Sequence, residues 1–390
     1  MLFQMYGSNR TEKPPALPPE AVSLVNGIPF AVKDNIAVKD MLFTCGLNLL
    51  KNFYSPYTAT IVQKLEQAGG IVSAMINTSG DSPAAAEVPY ALASDLGCMR
   101  QQAALYGMAA LKPTYGAVSR YGIAACAPSL ETAGIVSDTV SRCRSVFAHI
   151  RGKDPNDQTS FDAPPAALYP ALGGGKKIGF ISYGDDEALN SFELAKKQLA
   201  AAGHTLFQID LPCIKYGAAA FHTIAAAETA SSMARFDGIR YGTRSAADTA
   251  GELVRRTRAE NITPEVKMQI LLGTFVLRPE YQDMYYLRAQ KIREGIRRNL
   301  ESLLAEYDAI LLPVCPNGKK TQKENDFYTC LANLAGLPAL SFPVSTGDGV
   351  PFGVQLLGRA YAEAILLDIG EEYEKKYPFF RPKSIKAFGS

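Results

Sequence analysis

The sequence predicts an α/β fold from the alternation of strand-like and helix-like segments. Short apolar runs typical of strands alternate along the chain with segments of helical spacing. Such alternation favours a largely parallel sheet with helices packed against it. We find no internal repeat and no linker long enough to separate domains. We therefore expect one domain over 27–390, preceded by a Pro-rich N-terminal arm over 1–26.

The first 150 residues predict two early strands and three helices. IPFAVK (28–33) is an apolar strand that ends in a polar cluster, and GGIVSAMINTSGDS begins as a second short strand. Helical spacing over 58–68 stops at a pair of glycines. Further helices are expected over 102–111, before a proline, and over 137–150.

The middle of the chain predicts two strands, each close to a helix. KKIGFISY (176–183) is strand-like, and an amphipathic helix over 191–203 ends at a glycine before the strand 205–211. An Ala-rich helix is expected over 218–236, and two or more helices over 264–301.

The last 80 residues predict the interior of a sheet. YDAILLPV (307–314) is apolar throughout, as in a strand buried on both faces. The segments 337–344 and 352–358 form a predicted strand pair around a Gly-Asp-Gly turn, and a helix over 360–376 closes the chain.

The composition excludes several classes of protein. The chain is 47% hydrophobic and 20% charged with a formal net charge of +2, which argues against a general nucleic-acid-binding surface. Its seven cysteines form no Cys-x-x-Cys pair and have no histidine at ligand spacing, so we expect no disulfide framework, metal or cofactor. The absence of a signal sequence or a long apolar span favours a cytoplasmic location without membrane contact.

Histidine is scarce, which directs attention to other bases. The only three are His149, His204 and His222, and none has a carboxylate or thiol at motif distance. A lysine or tyrosine is then the next candidate for acid–base work. Lys33, at the end of the strand AVKDN, is one: it is either a lysine that reaches outward or pairs with Asp34, or a partly desolvated amine that acts as a base.

Cys98 ends the turn SDLGC (94–98) between a strand-like and a helix-like segment. Such a turn directs the N–H groups of Leu96, Gly97 and Cys98 into one space, where a helix N-terminus favours an oxyanion or a thiolate. The alternative is a small buried hydrophobic residue, which describes most free cysteines. A third stretch, TSGDS (78–82), is a hydroxyl-rich loop that has little meaning by itself.

Several long motifs together resemble the amidase signature family, and within it the A subunits of tRNA-dependent glutamyl/aspartyl amidotransferases. The resemblance extends from about Gly27 to about Lys376. It rests on GIPFAVKDN (27–35), LKPTYGAVSRYGIAACAPSLETAG (111–134), ARFDGIRYGTR (234–244), EVKMQILLGTFVL (265–277) and NLAGLPALSFPV (333–344). It implies one compact α/β domain around a large, twisted, mixed sheet covered by helices on both faces. It also implies acyl transfer from an amide, with ammonia passed to B- and C-type subunits that act on tRNA.

The resemblance assigns roles to particular residues. The family uses a nucleophilic serine, a cis-serine and a neutral lysine, and Lys33 matches that lysine. The family turn Ser-Asp-Thr-Gly-Gly-Ser-Ile-Arg is one residue shorter here, with Cys98 in the serine's place and Asp95, Leu96 and Gly97 as the oxyanion turn. The cis-serine stretch is missing as such, so either Thr78 or Ser79 takes that role in a shortened remnant, or the segment was lost.

The substrate-holding positions also differ from the family pattern. Asp326 matches the aspartate that binds the substrate amino group, whereas the carboxylate-binding arginine falls at Gln269 and a tyrosine falls at Phe221. Loss of an arginine–carboxylate fork weakens the binding of free glutamine.

Three hypotheses follow: an amidase-type enzyme with Cys98 as nucleophile and a small-molecule amide substrate other than free glutamine; a catalytically degenerate scaffold or binding protein; or an ordinary glutamine-dependent A subunit. We favour the first hypothesis.

Overall fold

A computed structural model describes residues 24–77, 88–163, 175–181, 186–314, 322–344 and 352–379, without the side chains of 186–191 and 322–326. Ten strands form one sheet. In chain order they are β1 (Pro29–Lys33), β2 (Ile71–Ile76), β3 (Tyr90–Asp95), β4 (Ala109–Lys112), β5 (Thr132–Ser137), β6 (Lys177–Phe180), β7 (Thr205–Gln208), β8 (Ala309–Pro313), β9 (Ala339–Val344) and β10 (Phe352–Leu357).

Helices connect and cover these strands. They are α1 (Thr60–Gln67), α2 (Cys98–Leu105), α3 (Val140–Ile150), α4 (Asp186–Ala201), α5 (Gly217–Ser232), α6 (Ala250–Asn261), α7 (Pro264–Val276), α8 (Pro279–Gln282), α9 (Arg288–Glu306), α10 (Gln322–Ala335) and α11 (Glu363–Lys376). A π-helical turn, Asp283–Leu287, joins α8 to α9. Short 3₁₀ turns lie at Asn48–Leu50, Pro212–Tyr216 and Met233–Arg235.

The sheet is mixed, as the family resemblance implied, and not largely parallel, as the alternation of elements alone predicted. Its strand order is β2-β1-β3-β5-β4-β9-β10-β8-β6-β7. The pairs at both ends of this order are parallel, whereas every pairing from β3 to β8 is antiparallel. The local pattern could not show this, because apolar runs look alike in both pairing directions.

Two apolar layers cover the two faces of the sheet, which confirms the predicted architecture. Successive residues of a strand point to opposite faces. In β8, Ala309 and Leu311 belong to one hydrophobic cluster, and Ile310 and Leu312 belong to the other. The first cluster takes residues from α1, α3, α4 and α11, and the second from α5, α9 and α10. Helices therefore pack on both faces.

The predicted helix 102–111 is wrong in its second half. The helix begins earlier, at Cys98, and ends at Leu105. Gly107 follows with a φ of 69°, a left-handed conformation that reverses the chain. Ala109–Lys112 is then a buried strand between β5 and β9. Its Ala- and Leu-rich sequence fits a helix or a buried strand equally well, and only its sheet partners decide between them.

Candidate active site

Lys33 and Ser94 meet at one edge of the sheet. Strands β1 and β3 are parallel neighbours, with Val32 paired to Leu92, so their carboxyl ends lie side by side. Lys33 is the last residue of β1, and its Nζ lies 3.4 Å from the Ser94 Oγ near the end of β3. The sequence analysis singled out Lys33 but did not identify Ser94 as its neighbour.

A buried polar network surrounds this contact. The Asn35 Nδ2 donates to the Ser94 Oγ at 2.8 Å, and it lies 3.4 Å from both the Glu131 Oε1 and the Ala124 carbonyl oxygen. The other carboxylate oxygen of Glu131 accepts from the Cys126 N–H at 2.8 Å. Asn35, Ser94 and Glu131 are each less than 5% exposed. Buried networks of this kind hold their members in one geometry.

The turn that leads to Cys98 has the predicted form. Asp95 ends β3, and Cys98 is the first residue of α2 and is half-buried. Gly97 has a φ of 103°, which side chains with a Cβ rarely adopt, so a glycine is needed there. The Cys98 thiol therefore sits at the N-terminus of an eight-residue helix, at the same edge of the sheet as Ser94.

One detail of the predicted oxyanion site changes. The Gly97 N–H donates to the Asp95 Oδ1 at 2.7 Å. The Asp95 carboxylate therefore uses this donor to close the turn, as short acidic side chains often do. The oxyanion role of the Leu96 and Cys98 N–H groups stays a prediction, and the Leu96 side chain packs against the apolar layer of α5, α9 and α10.

The fully buried Arg100 side chain fixes the turn before Cys98 through Asp95. The Arg100 Nε donates to the Asp95 Oδ2 at 2.8 Å, and both side chains are 0% exposed. The Arg100 Nη1 bonds the Gln355 Oε1 of β10. Its Nη2 donates to the Thr329 carbonyl oxygen at 2.9 Å and to the Asn333 Oδ1 at 2.6 Å, both on α10. A guanidinium suits such a site because its donors are fixed in one plane.

Helix α10 also contacts the turn directly, through Asn333. The Asn333 Nδ2 donates to the backbone carbonyl oxygens of Asp95 and Leu130, each at 3.0 Å. The turn before Cys98 is thus held by α10 through both the backbone and the side chain of Asp95. Neither Arg100 nor Asn333 was predicted as part of the site, because, apart from the Arg100–Asp95 pair, their partners are more than 200 residues distant along the chain.

Three other thiols lie in surroundings that keep them protonated. Burial and the Glu131 carboxylate raise the pKa of Cys126 to about 12, although the Lys33 ammonium opposes this shift. Burial raises the pKa of Cys143 to about 12 and raises that of Cys45 further, with the Asp34 carboxylate adding to the effect. Thiols, unlike thiolates, are poor nucleophiles. Cys126 is close enough to Lys33 for the two charges to interact.

Lys112 is a second lysine with an unusual environment. It is 0% exposed, and burial lowers its pKa to about 7, with the Arg100 charge adding to this effect. Its Nζ donates to the carbonyl oxygens of Pro113 and Leu337 at 3.1 and 2.9 Å. A side chain enclosed in this way stabilises the sheet but cannot reach a substrate, whereas Lys33 is only half-buried.

The predicted relay residues, and the side chain of the predicted amino-group residue, lie outside the described part of the structure. Thr78 and Ser79 lie outside the described residues, so their role stays a prediction. Asp326 lies in the first part of α10, and its side chain is also outside the described part of the structure.

The other two predicted substrate residues lie on neighbouring helices. Phe221 on α5 is 4% exposed and belongs to the apolar layer that includes Ile296 and Leu331. Gln269 lies half-buried on α7, which packs against α5. Phe221 thus contributes to the core, and its contact with a substrate stays a prediction, as does that of Gln269.

The described residues include neither a membrane-spanning helix nor a cluster of metal-binding side chains. No helix in the described ranges is long and apolar enough to cross a membrane. No group of three or more His, Cys, Asp or Glu side chains among these residues is arranged to hold a metal ion.

Comparison with known proteins places the chain in a family. The Amidase family model matches residues 11–80 and 79–367, so the match divides at the TSGDS stretch. A division there fits the loss or shortening of a family segment between Lys33 and Cys98.

Similar proteins are components of amidotransferases. The A subunit of glutamyl-tRNA(Gln) amidotransferase from Geobacillus stearothermophilus is 36% identical, with 92% of this chain and 85% of the relative covered. The A subunit of the same enzyme from Coxiella burnetii is 37% identical with the same coverage. The alignment to the first spans 414 positions, more than the 390 residues of this chain, so this chain lacks residues that the relative has.

Solved structures agree with this result. The crystal structure of the A subunit of glutamyl-tRNA(Gln) amidotransferase from Thermotoga maritima superposes with a TM-score of 0.72 at 31% identity, covering 92% of this chain and 86% of that one. With a family match over most of its length and relatives of the same fold, the chain belongs to the amidase family and is an amidase- or amidotransferase-type enzyme.

Proposed function

We propose that Cys98 is the nucleophile of this enzyme and that Lys33 is its base. The observation that carries the proposal is that β1 and β3 bring Lys33 to the strand end from which the Cys98 turn begins, with Ser94 in contact with the Lys33 amine. The position of Cys98 at a helix N-terminus favours the thiolate, and a thiolate needs less help from a base than a serine hydroxyl does.

The proposed reaction has three steps. The Cys98 S–H bond breaks, its proton passes to the Lys33 amine nitrogen, and the sulfur electron pair attacks the amide carbon. The oxyanion of the tetrahedral intermediate accepts from the Leu96 and Cys98 N–H groups. The C–N bond then breaks, the nitrogen takes a proton from the Lys33 ammonium, and ammonia leaves a thioester on Cys98. Water hydrolyses the thioester to a carboxylic acid and restores the thiol.

Selective alkylation of Cys98 tests this proposal. With iodoacetamide at pH 7, we expect Cys98 to react at least about tenfold faster than Cys45, Cys126 and Cys143, because burial holds those thiols protonated. Lys33→Ala should slow the modification of Cys98 and leave that of Cys45 and Cys143 unchanged. Peptide mass spectrometry over a time course gives each rate.

Cys213, on the 3₁₀ turn Pro212–Tyr216, is the internal reference, because it is half-buried like Cys98 but does not lie at the N-terminus of an eight-residue helix. A Cys98 rate no higher than that of Cys213 would contradict the proposal. Such a result would favour the alternative of a catalytically degenerate scaffold.

The substrate that we propose is a small-molecule amide other than free glutamine. Gln269 stands where the resemblance places an arginine for the substrate carboxylate, and Phe221 is buried in the apolar layer. A neutral amide side chain lacks the charge-assisted fork that an arginine offers to a carboxylate.

Restoring the arginine tests this substrate assignment. We expect Gln269→Arg to increase kcat/KM for ammonia release from glutamine by about tenfold or more, through a lower KM. Gln269→Lys is the control, since it restores the charge without the bidentate geometry and should give a smaller gain. Efficient glutamine hydrolysis by the unmodified enzyme would instead support an ordinary glutamine-dependent role.

We also propose that the enzyme is cytoplasmic and works with B- and C-type amidotransferase subunits, and through them with tRNA. The support is its similarity to proteins named as components of glutamyl-tRNA(Gln) amidotransferase. Affinity purification of the tagged chain from its own cells should recover such subunits. Recovery of the chain without them would count against an assembly.

A further inference from the structure

Ser94 is a buried hydroxyl for which the catalytic proposal has no role so far. It is 3% exposed, lies next to the nucleophile turn, and contacts the Lys33 amine at 3.4 Å. Asn35 donates to the same oxygen at 2.8 Å. Buried hydroxyls are normally bonded, and this one is bonded to the proposed base and to a fixed amide.

The partners of Ser94 fit a hydroxyl that stays in contact with Lys33 in both of its protonation states. A serine hydroxyl has one donor and two lone pairs. The Asn35 amide takes one lone pair, which leaves one lone pair and the O–H. The second lone pair accepts from a Lys33 ammonium, and the O–H donates to a neutral Lys33 amine. The base therefore keeps one position while it gains and loses a proton.

The Asn35 amide is itself fixed, so the hydroxyl has a defined position. Its nitrogen lies between the Ser94 Oγ, the Glu131 Oε1 and the Ala124 carbonyl oxygen. The chain of contacts from Glu131 through Asn35 and Ser94 ends at the Lys33 amine. Each link is between side chains more than 50 residues apart in sequence, so the fold alone assembles it.

We infer that Ser94 is the positioning residue for Lys33, through which the amine is held for proton exchange with Cys98. The inference rests on the proposed roles of Lys33 and Cys98. It assigns the contact with the lysine to a hydroxyl on β3, outside the TSGDS stretch. The thiol proton still moves to the Lys33 nitrogen, and Ser94 gains and loses no atoms.

The test is the pH profile of Cys98 alkylation. We expect Ser94→Ala to move the midpoint of this profile upward by about one pH unit, and to slow alkylation at pH 7 about tenfold as the thiolate fraction falls. Ser94→Thr, which keeps the hydroxyl, should retain the original midpoint. Lys33→Ala should shift it as Ser94→Ala does, and the double variant should shift it no further, because the two side chains act as one unit.

Ser137→Ala is the matched control. Ser137 is also a fully buried sheet serine, but it pairs with Tyr90 at the far end of the β3–β5 ladder. It should leave the midpoint unchanged. If Ser94→Ala does not fold by circular dichroism, Ser94→Thr and Ser94→Val provide the same comparison, since they differ only in a hydroxyl and a methyl group.

An unshifted midpoint in the hydroxyl-free variant, or shifts that add fully to that of Lys33→Ala, would overturn the inference. This failure is distinct from failure of the catalytic proposal. If Cys98→Ala abolishes amide hydrolysis while the Ser94 variants keep the midpoint of the alkylation profile, only the proposed role of Ser94 is wrong. If Cys98 shows no elevated reactivity in the unmodified enzyme, both the catalytic proposal and the proposed role of Ser94 are wrong.

Discussion

Replacing Arg100 with leucine is expected to lower the free energy of unfolding by about 3–5 kcal/mol, because it leaves the Asp95 carboxylate buried without its partner. The Gln355 and Asn333 side chains would lose charge-assisted bonds as well. Urea denaturation followed by circular dichroism measures the change. The turn before Cys98 would also lose its anchor, so the selective alkylation of Cys98 should weaken in the same variant.

Two comparisons show whether the buried charge is the cause. Arg256→Leu removes an arginine that is 52% exposed and paired with Glu252, and it should change stability by less than about 1 kcal/mol. Adding Asp95→Asn to Arg100→Leu removes the unpaired charge and should recover part of the lost stability. A double variant that is less stable than Arg100→Leu alone would show that the ion pair is not the main contribution.

Replacing Cys98 with alanine is expected to reduce amide hydrolysis at least about 1000-fold, because removal of a nucleophile abolishes the covalent step. Ammonia release from a panel of primary amides that includes glutamine measures the loss. Cys98→Ser should retain only part of the activity, because a hydroxyl at this position needs more help from Lys33 than a thiol does.

Cys213→Ala is the control for this experiment, because Cys213 lies on the 3₁₀ turn before α5 and has no place in the proposed mechanism. It should retain activity within about twofold. Equal activity of the Cys98→Ala variant and the unmodified enzyme would exclude Cys98 as the nucleophile. An absence of hydrolysis across the panel in the unmodified enzyme would favour the scaffold alternative.

Local sequence was sufficient where one segment contains the whole signal. The α/β class follows from apolar periodicity, which each element expresses within a few residues. The place of Lys33 at a strand end, and of Cys98 behind a turn that needs Gly97, could be predicted for the same reason. The extended motifs added the family and the mixed sheet, and the comparisons and the fold confirm both.

Prediction failed where a residue's role depends on distant partners. The segment Ala109–Lys112 was assigned to a helix because its own residues suit either state, and only β5 and β9 make it a strand. The role of Arg100 was missed because three of its four partners, Thr329, Asn333 and Gln355, come from the distant elements α10 and β10.

By itself, the sequence therefore determined the fold class, the family and the two groups proposed to react, Lys33 and Cys98. Tertiary structure alone decided that Ser94 meets the Lys33 amine across 61 positions of chain, that Asn35 and Glu131 fix this contact, and that Arg100 holds the nucleophile turn. The physical reason is that side-chain hydrogen bonds depend on distances of about 3 Å, and only the packed sheet and helices set such distances between remote residues.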